Sequence, residues 1–300
     1  MLPRSIVRGG IHRAVLCGGT GTPPKIESMS RHVRKTGEPS AFSRVAPETG
    51  LLLGAGRAIL MQLAHPQIGE AIAQHSDFAS NPLSRLMHTL GYIYALSNGN
   101  AEQQRTMIAY VNGAHRTVHG TRNEAEGTPA YSALDPRLQL WVAATLFDSA
   151  RVIARQVLAG DGAHDEELYQ QYSLLGEALQ MPKDLWPATI QDFDQYLEQA
   201  LAALSTTGRT RQLAEDLFAA RNAPWWIRAC LPLMRDVTIA QLPALVRDQF
   251  GYELSKKVHR RNAVAIAAAR MASRVLPTPI RHLPMKIMLR HVDRMTPGQH

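Results

Sequence analysis

Two histidines, His115 and His119, lie four residues apart in the segment AYVNGAHRTVHG, residues 109–120. In a helix this spacing places both imidazoles on one face, where they could bind a metal or contact a cofactor. A metalloprotease site is excluded, because it needs a glutamate directly after the first histidine and Arg116 stands there. A di-metal carboxylate site needs Glu-x-x-His pairs on facing helices, and the neighbouring segments contain none. Spacing alone leaves two alternatives for His115: a metal or haem ligand, or a histidine at the surface or at the edge of the core.

A second polar group consists of Arg85, His88 and Thr89 in the segment RLMHT. Their spacing of three and four residues places the three side chains on one side of a predicted helix, so they can act at the same site. Arg57 and Gln62 belong to an earlier predicted helix and could face the same pocket. A packing role is the alternative for both.

The elements that must position these residues are all predicted to be helices. From about residue 47 onward, apolar residues recur at three- and four-residue spacing, and no segment alternates as a strand does. We expect a break at His65-Pro66, because proline removes a hydrogen-bond donor and crowds the preceding turn. A long helix should begin at Asp135-Pro136, with the aspartate as N-cap. Residues 101–119 should form one helix that ends at a glycine.

Composition describes a globular chain with a large core, since 45% of the 300 residues are hydrophobic and 19% are charged. Cys17 and Cys230 lie too far apart in the sequence for a disulfide framework or a CxxC metal site. The net charge of +8 is concentrated in residues 1–37 and 256–294, so it says little about the function of the core. No run of apolar residues is long enough to predict a transmembrane helix. The basic C-terminal stretch could lie on an anionic membrane or pack on the body as a terminal helix.

Several sequence blocks follow one another in a recognisable order. They are GRAILMQLAHP (56–66), HSDF (75–78), RLMHT (85–89), AHRTVHG (114–120), YSALDP (131–136), WVAATL (141–146) and LPALVRDQFG (242–251). In their order and spacing these blocks resemble the MpaB/rubber-oxygenase (latex clearing protein) catalytic-domain family, formerly a domain of unknown function, DUF2236. The resemblance covers roughly residues 48–250.

This resemblance implies an all-α fold, a multi-helix globular bundle that encloses a pocket for haem b. The iron ligand of the family is the histidine of an H-x-x-V-x-G block, which corresponds to His115 with Val118 and Gly120. His119 occupies a position that the family does not fix, and it could hydrogen-bond a haem propionate. Arg57 is a further candidate for contact with the cofactor.

The RLMHT block implies the catalytic candidates Arg85, His88 and Thr89. In the rubber-cleaving branch the block reads R-x-x-K-T and lies on the oxygen-binding side of the haem, whereas here His88 replaces the lysine. His88 could act as an acid or base near bound oxygen, could be a sixth iron ligand, or could point to solvent. Arg85 could stabilise negative charge on an oxygen ligand, pair with a propionate, or form a surface salt bridge.

The resulting prediction is a haem b-dependent oxidoreductase of the oxygenase type, acting with dioxygen on a small apolar organic substrate in the cytoplasm. We expect no nucleic-acid partner. The basic C-terminus could contact a membrane surface, and the sequence does not predict an oligomeric state. One alternative is a non-catalytic haem-binding or haem-sensing protein in which two histidines ligate the iron. Another is a basic helical module that binds nucleic acid or membrane. The predicted organisation is a basic leader (1–44), disordered or a targeting peptide, a haem-binding domain (45–253) and a basic helical extension (254–300).

Overall fold

The described part of the chain is mainly α-helical. The computed structural model describes residues 39–75, 82–124, 127–158, 165–220 and 223–295. The predicted all-α fold is confirmed, because strands in these residues are confined to one short pair.

The first part of the fold surrounds the two predicted groups of polar residues. Its elements are α1 (Ala41–Val45), a 3₁₀ helix (Thr49–Gly54), α2 (Ala55–Ala64), α3 (Pro66–His75), α4 (Pro82–Asn98), α5 (Ala101–Arg116), β1 (His119–Gly120), β2 (Tyr131–Ser132) and α6 (Pro136–Val157).

The second part covers α6 and continues to the C-terminus. Its elements are α7 (Asp165–Tyr172), α8 (Leu174–Glu177), a 3₁₀ turn (Lys183–Leu185), α9 (Ile190–Ala202), α10 (Gly208–Ala219), α11 (Trp225–Gln241), α12 (Ala244–Gln249), α13 (Lys256–Val275), α14 (Thr278–Arg281) and α15 (Leu283–Met295).

Two predicted helix boundaries are confirmed. The side chain of Asp135 accepts a hydrogen bond from the backbone N–H of Arg137 at 2.8 Å, and α6 begins at Pro136. His65 adopts an extended conformation between α2 and α3, where the following proline was expected to break the helix.

Helix α6 forms the centre of the core, and α2, α7, α8 and α13 pack against it. Its Phe147 is fully buried and joins Tyr169 of α7 and Phe193 of α9, with ring centroids 5.1 Å from Phe147 in both cases. These edge-on and tilted contacts are typical of aromatic packing. They hold the helices that cover one side of α6.

An ion pair fixes α2 to α6 on another side. Arg57 Nη2 lies 2.5 Å from Asp148 Oδ2, and both side chains are buried. Arg57 also donates hydrogen bonds to Ser149 Oγ at 3.0 Å and to the backbone oxygen of Gln241 at 2.9 Å. Asp148 Oδ1 is also 2.9 Å from Arg151 Nη2, and Asp194 Oδ1 lies 2.7 Å from the same nitrogen, so two carboxylates balance the two guanidinium groups. Such a buried pair is costly to break, because either partner alone would be an uncompensated charge.

The expected leader boundary at residue 44 falls inside α1. Ala41 and Phe42 are buried, and the Phe42 N–H donates to Gln171 Oε1 at 2.7 Å. Packed structure therefore begins before residue 44 because an apolar side chain at this point has a partner in α7. Residues 1–38, including Cys17, lie outside the described residues, and so do the expectations that concern them.

The C-terminal helices pack on the rest of the fold. Helix α13 contacts α11 and α6, and α15 contacts α4 and α5. Ile266 of α13 is buried with Ile153 and Val157 of α6. Residues 254–295 therefore contribute to the core and also present exposed basic side chains. No helix among the described residues has the length and apolar content needed to cross a membrane.

Candidate functional site

A cavity of about 440 Å³ lies beside His115, and we call it the His115 cavity. Five helices, α2 to α6, supply most of its wall, and α8 closes one side. The wall is largely apolar, as shown by Ile72, Val111, Leu138 and Leu175. Its size falls in the range of cavities that hold cofactors and small ligands, roughly 300–1,000 Å³.

The His115 imidazole reaches this cavity from the last turn of α5. Its Nδ1 is buried and has no hydrogen-bond partner among the described residues. Burial, assisted by the nearby positive charge of Arg85, lowers the pKa of His115 below its ordinary value. The ring is therefore neutral at neutral pH, which is the form that binds metal ions.

Arg85 and Thr89 line the His115 cavity from α4, one helical turn apart. Thr89 Oγ1 donates to the backbone oxygen of Arg85 at 3.0 Å, a bond within the helix. The guanidinium of Arg85 forms no hydrogen bond or ion pair with any described residue. Burial lowers the pKa of Arg85 to about 10, so it remains a cation at neutral pH, and an anionic group would stabilise it.

His88 lines the same cavity and is held by Tyr110 of α5. The Tyr110 hydroxyl lies 2.9 Å from His88 Nε2, and the two ring centroids are 4.7 Å apart. Burial and the neighbouring His291 of α15 both lower the pKa of His88. Sequence reasoning missed Tyr110, because its contact with α4 depends on how the two helices pack.

His119 is placed differently from expectation. Helix α5 ends at Arg116, so the predicted helix through residue 119 is wrong, and with it the shared helical face. His119 instead pairs with Ser132 between β1 and β2, and its side chain is exposed. Because residues 119 and 120 pair with β2, their backbone groups do not continue the hydrogen bonding of α5. His119 does not line the His115 cavity.

Gly120 of the AHRTVHG block has a clear packing reason. It pairs with Tyr131 across the two strands, and a Cβ at Gly120 would lie 2.6 Å from carbon atoms of the Tyr131 ring. Only glycine allows this approach without a shift. It was expected to cap α5 and instead forms part of β1. Arg57, the other predicted cofactor contact, lines neither this cavity nor the next one and is occupied by the ion pair with α6.

A second cavity, of about 300 Å³, adjoins the first, and we call it the apolar cavity. Four residues line both cavities and so form the wall between them: Gln62, Arg85, Thr89 and Leu146. Gln62 Nε2 donates to Thr145 Oγ1 at 3.0 Å, which holds the amide in this wall. The sequence suggested Gln62 as a pocket residue, but it gave no indication of two cavities.

Among the described residues, no group of three or more His, Cys, Asp or Glu side chains is arranged to hold a metal ion. His115 is the imidazole that combines a buried, unpartnered ring nitrogen with a place in a cavity wall. His65 also has a buried, unpartnered Nδ1, but it lies against Trp141 at 6.0 Å between ring centroids and lines neither cavity.

A comparison with protein families gives a match over most of the chain. Residues 43–275 match the model of the family described as ER-bound oxygenase mpaB/B'/Rubber oxygenase, catalytic domain. The chain belongs to this family. The match runs from α1 to the end of α13 and includes every residue of the two cavity walls.

Proteins with similar sequences occur in mycobacteria. An uncharacterised protein of Mycobacterium bovis and one of Mycobacterium tuberculosis are each 29% identical to this chain over 226 residues. The alignment covers 73% of this chain and 87% of each relative. No solved structure matches the chain.

Proposed function

We propose that this mpaB/rubber-oxygenase family member is a haem b-dependent oxidoreductase of the oxygenase type that acts on an apolar organic substrate. The observation that carries the proposal is the His115 ring, neutral at neutral pH and with a buried unpartnered nitrogen, in the wall of a largely apolar cavity. The family supports oxygenase chemistry. The use of haem b and the apolar substrate go beyond what the family match supports, and we propose both.

The residues present fit haem b. His115 would be the protein ligand of the iron, and the apolar wall would exclude water from the porphyrin faces. When bound, haem would supply the redox-active iron that activates dioxygen.

The remaining roles belong to side chains of α4 and α5. Arg85 would stabilise negative charge in the cavity, because it is a cation that no described residue pairs with. His88, largely neutral because its pKa is lowered, can accept a proton at a ring nitrogen, and Tyr110 orients that ring. Thr89 lies beside them and lines both cavities, with its hydroxyl bonded to the backbone oxygen of Arg85.

An absorption spectrum tests the proposal. Full-length protein produced with sufficient haem should show a Soret band, and His115→Gly should lose it and regain it when imidazole is added. His119→Gly is the matched control, because its ring is exposed, and it should keep the band. A well-folded wild-type protein that takes up no haem would end the proposal.

A second candidate is the non-catalytic haem protein in which His88 and His115 both ligate iron, and it is favoured by their place in one cavity wall. Carbon monoxide added to the reduced protein separates the two functions. A shift of the Soret band indicates an open position for dioxygen. An unchanged spectrum in the wild type, with a shift in His88→Ala, would favour the second candidate.

The protein would work in the cytoplasm, with dioxygen and a small apolar molecule as its partners. Contact with a membrane surface is a further part of the proposal. Helices α13 to α15 expose apolar side chains such as Met271, Val275 and Ile280 next to exposed basic residues such as Arg274 and Lys286. This combination is typical of helices that lie on anionic membranes.

A further inference from the structure

Among the described residues that line the apolar cavity, Arg85 is the one whose side chain carries a formal charge. The rest of that wall is built from apolar groups such as Leu52, Ile93 and Leu231, with a few neutral polar groups. No acidic side chain of the described residues lines either cavity. A cation in such a place is stabilised when a ligand brings the missing negative charge.

The two cavities give Arg85 a position at one end of an apolar compartment. It shares the dividing wall with Gln62 and Thr89, while the far part of the apolar cavity is formed by α10 and α11. Cys230 of α11 lines this cavity and is exposed, so the cavity reaches the surface there. Trp225 and Trp226 lie at the start of the same helix with 80% and 58% of their surface exposed. The cavity that Cys230 and Arg85 both line is therefore mainly apolar between them.

We propose that the apolar cavity binds a carboxylic acid with a long apolar chain, whose carboxylate pairs with Arg85 and whose chain lies between α2, α4 and α11. Guanidinium is well suited to this role, because its planar donors match the two oxygens of a carboxylate. The chain would be stabilised by removal of its surface from water. This substrate class rests on the proposed function and makes it more specific. The apolar chain of the acid would lie next to the His115 cavity.

The carboxylate that pairs with Arg85 could also be a haem propionate. Measuring the binding of a carboxylic acid to haem-free protein separates these two sources. Isothermal titration of the full-length protein, free of haem, with dodecanoate and with dodecan-1-ol measures recognition of the head group at equal chain length. The acid should bind at least ten-fold more tightly than the alcohol. This measurement does not depend on turnover or on haem, so its failure and the failure of the proposed function give different results.

Variants of Arg85 decide the assignment. Arg85→Met should remove the preference for the acid and leave the alcohol unchanged, whereas Arg85→Lys should keep part of the preference. Arg105→Met is the matched control, because Arg105 is exposed on α5 and lines neither cavity. Ile59→Trp should weaken both ligands by filling the apolar cavity. Circular dichroism establishes that each variant is folded.

Three results would overturn the inference. One is equal affinity of the wild type for acid and alcohol, which would make the cavity an apolar site without head-group recognition. Another is unchanged acid binding in Arg85→Met. The third is absence of acid binding together with weaker haem uptake in Arg85→Met, which would assign Arg85 to a propionate.

Discussion

At the scale of single residues, His115 makes a prediction about pH. Because burial and Arg85 lower its pKa, the unfolded chain binds the proton more tightly, and the folded state loses stability relative to it as pH falls below about 6.5. The haem-free wild type should therefore lose more free energy of unfolding between pH 7.5 and about pH 5 than His115→Gln does. Denaturant titrations at several pH values measure this difference.

The control for that measurement is His119→Gln, which should follow the wild type because the His119 side chain is exposed. A wild type and a His115→Gln variant with parallel pH profiles would contradict the assignment of His115 as a half-buried, neutral ring.

The sequence predicted part of the site at this scale. Spacing placed Arg85, His88 and Thr89 on one side of a helix, and all three line the His115 cavity. It could not predict Tyr110 beside His88, because that contact arises from the packing of α5 on α4. Nor could it reveal that Arg85 has no partner among the described residues, since this depends on every side chain packed around it.

At the scale of elements, Gly120 makes a prediction through the short β1–β2 pair. A Cβ there would overlap the Tyr131 ring, so Gly120→Ala should destabilise the protein by about 1–3 kcal/mol. Gly113→Ala is the matched control, because nothing lies within 4 Å of the added Cβ on an exposed part of α5. That change should stabilise the fold by about 0.5–1 kcal/mol through helix propensity. Chemical denaturation measures both, and equal effects would contradict the strand pairing.

The helix ends show which local signals are reliable. Asp135-Pro136 and His65-Pro66 act within a few residues, so the sequence located both boundaries. The end of α5 depends on distant partners instead. Val118 O accepts a hydrogen bond from the N–H of Ala133 at 2.9 Å, and this contact lies beyond the reach of helical periodicity.

At the scale of the whole molecule, we expect α13 to contribute to the stability of the hydrophobic core. Ile266→Ala removes a buried side chain from the cluster with Ile153 and Val157 and should cost about 2–5 kcal/mol. Val264→Ala, two residues earlier, should change stability by less than about 0.5 kcal/mol, because 63% of Val264 is exposed. Denaturation curves of the two variants test this, and similar values would mean that α13 is a separate extension.

The basic side of α13 to α15 makes the last prediction, on the membrane. Arg274, Lys286 and Arg290 are exposed beside exposed apolar residues, and each basic residue near an anionic surface contributes about 1 kcal/mol. Arg274→Gln, Lys286→Gln and Arg290→Gln together should therefore weaken binding to vesicles that contain phosphatidylserine by about 3 kcal/mol, on the order of 100-fold.

Co-sedimentation with vesicles measures this binding, and zwitterionic vesicles of the same size are the lipid control. Leu134→Ser removes an exposed apolar side chain from the other part of the chain, before α6, and should leave binding unchanged. Raised salt should weaken the wild type, because it screens the attraction between the arginines and the lipid head groups. Equal binding to both vesicle types, or a triple variant that binds as the wild type does, would remove the membrane from the proposed partners and leave the exposed apolar residues of these helices without that role.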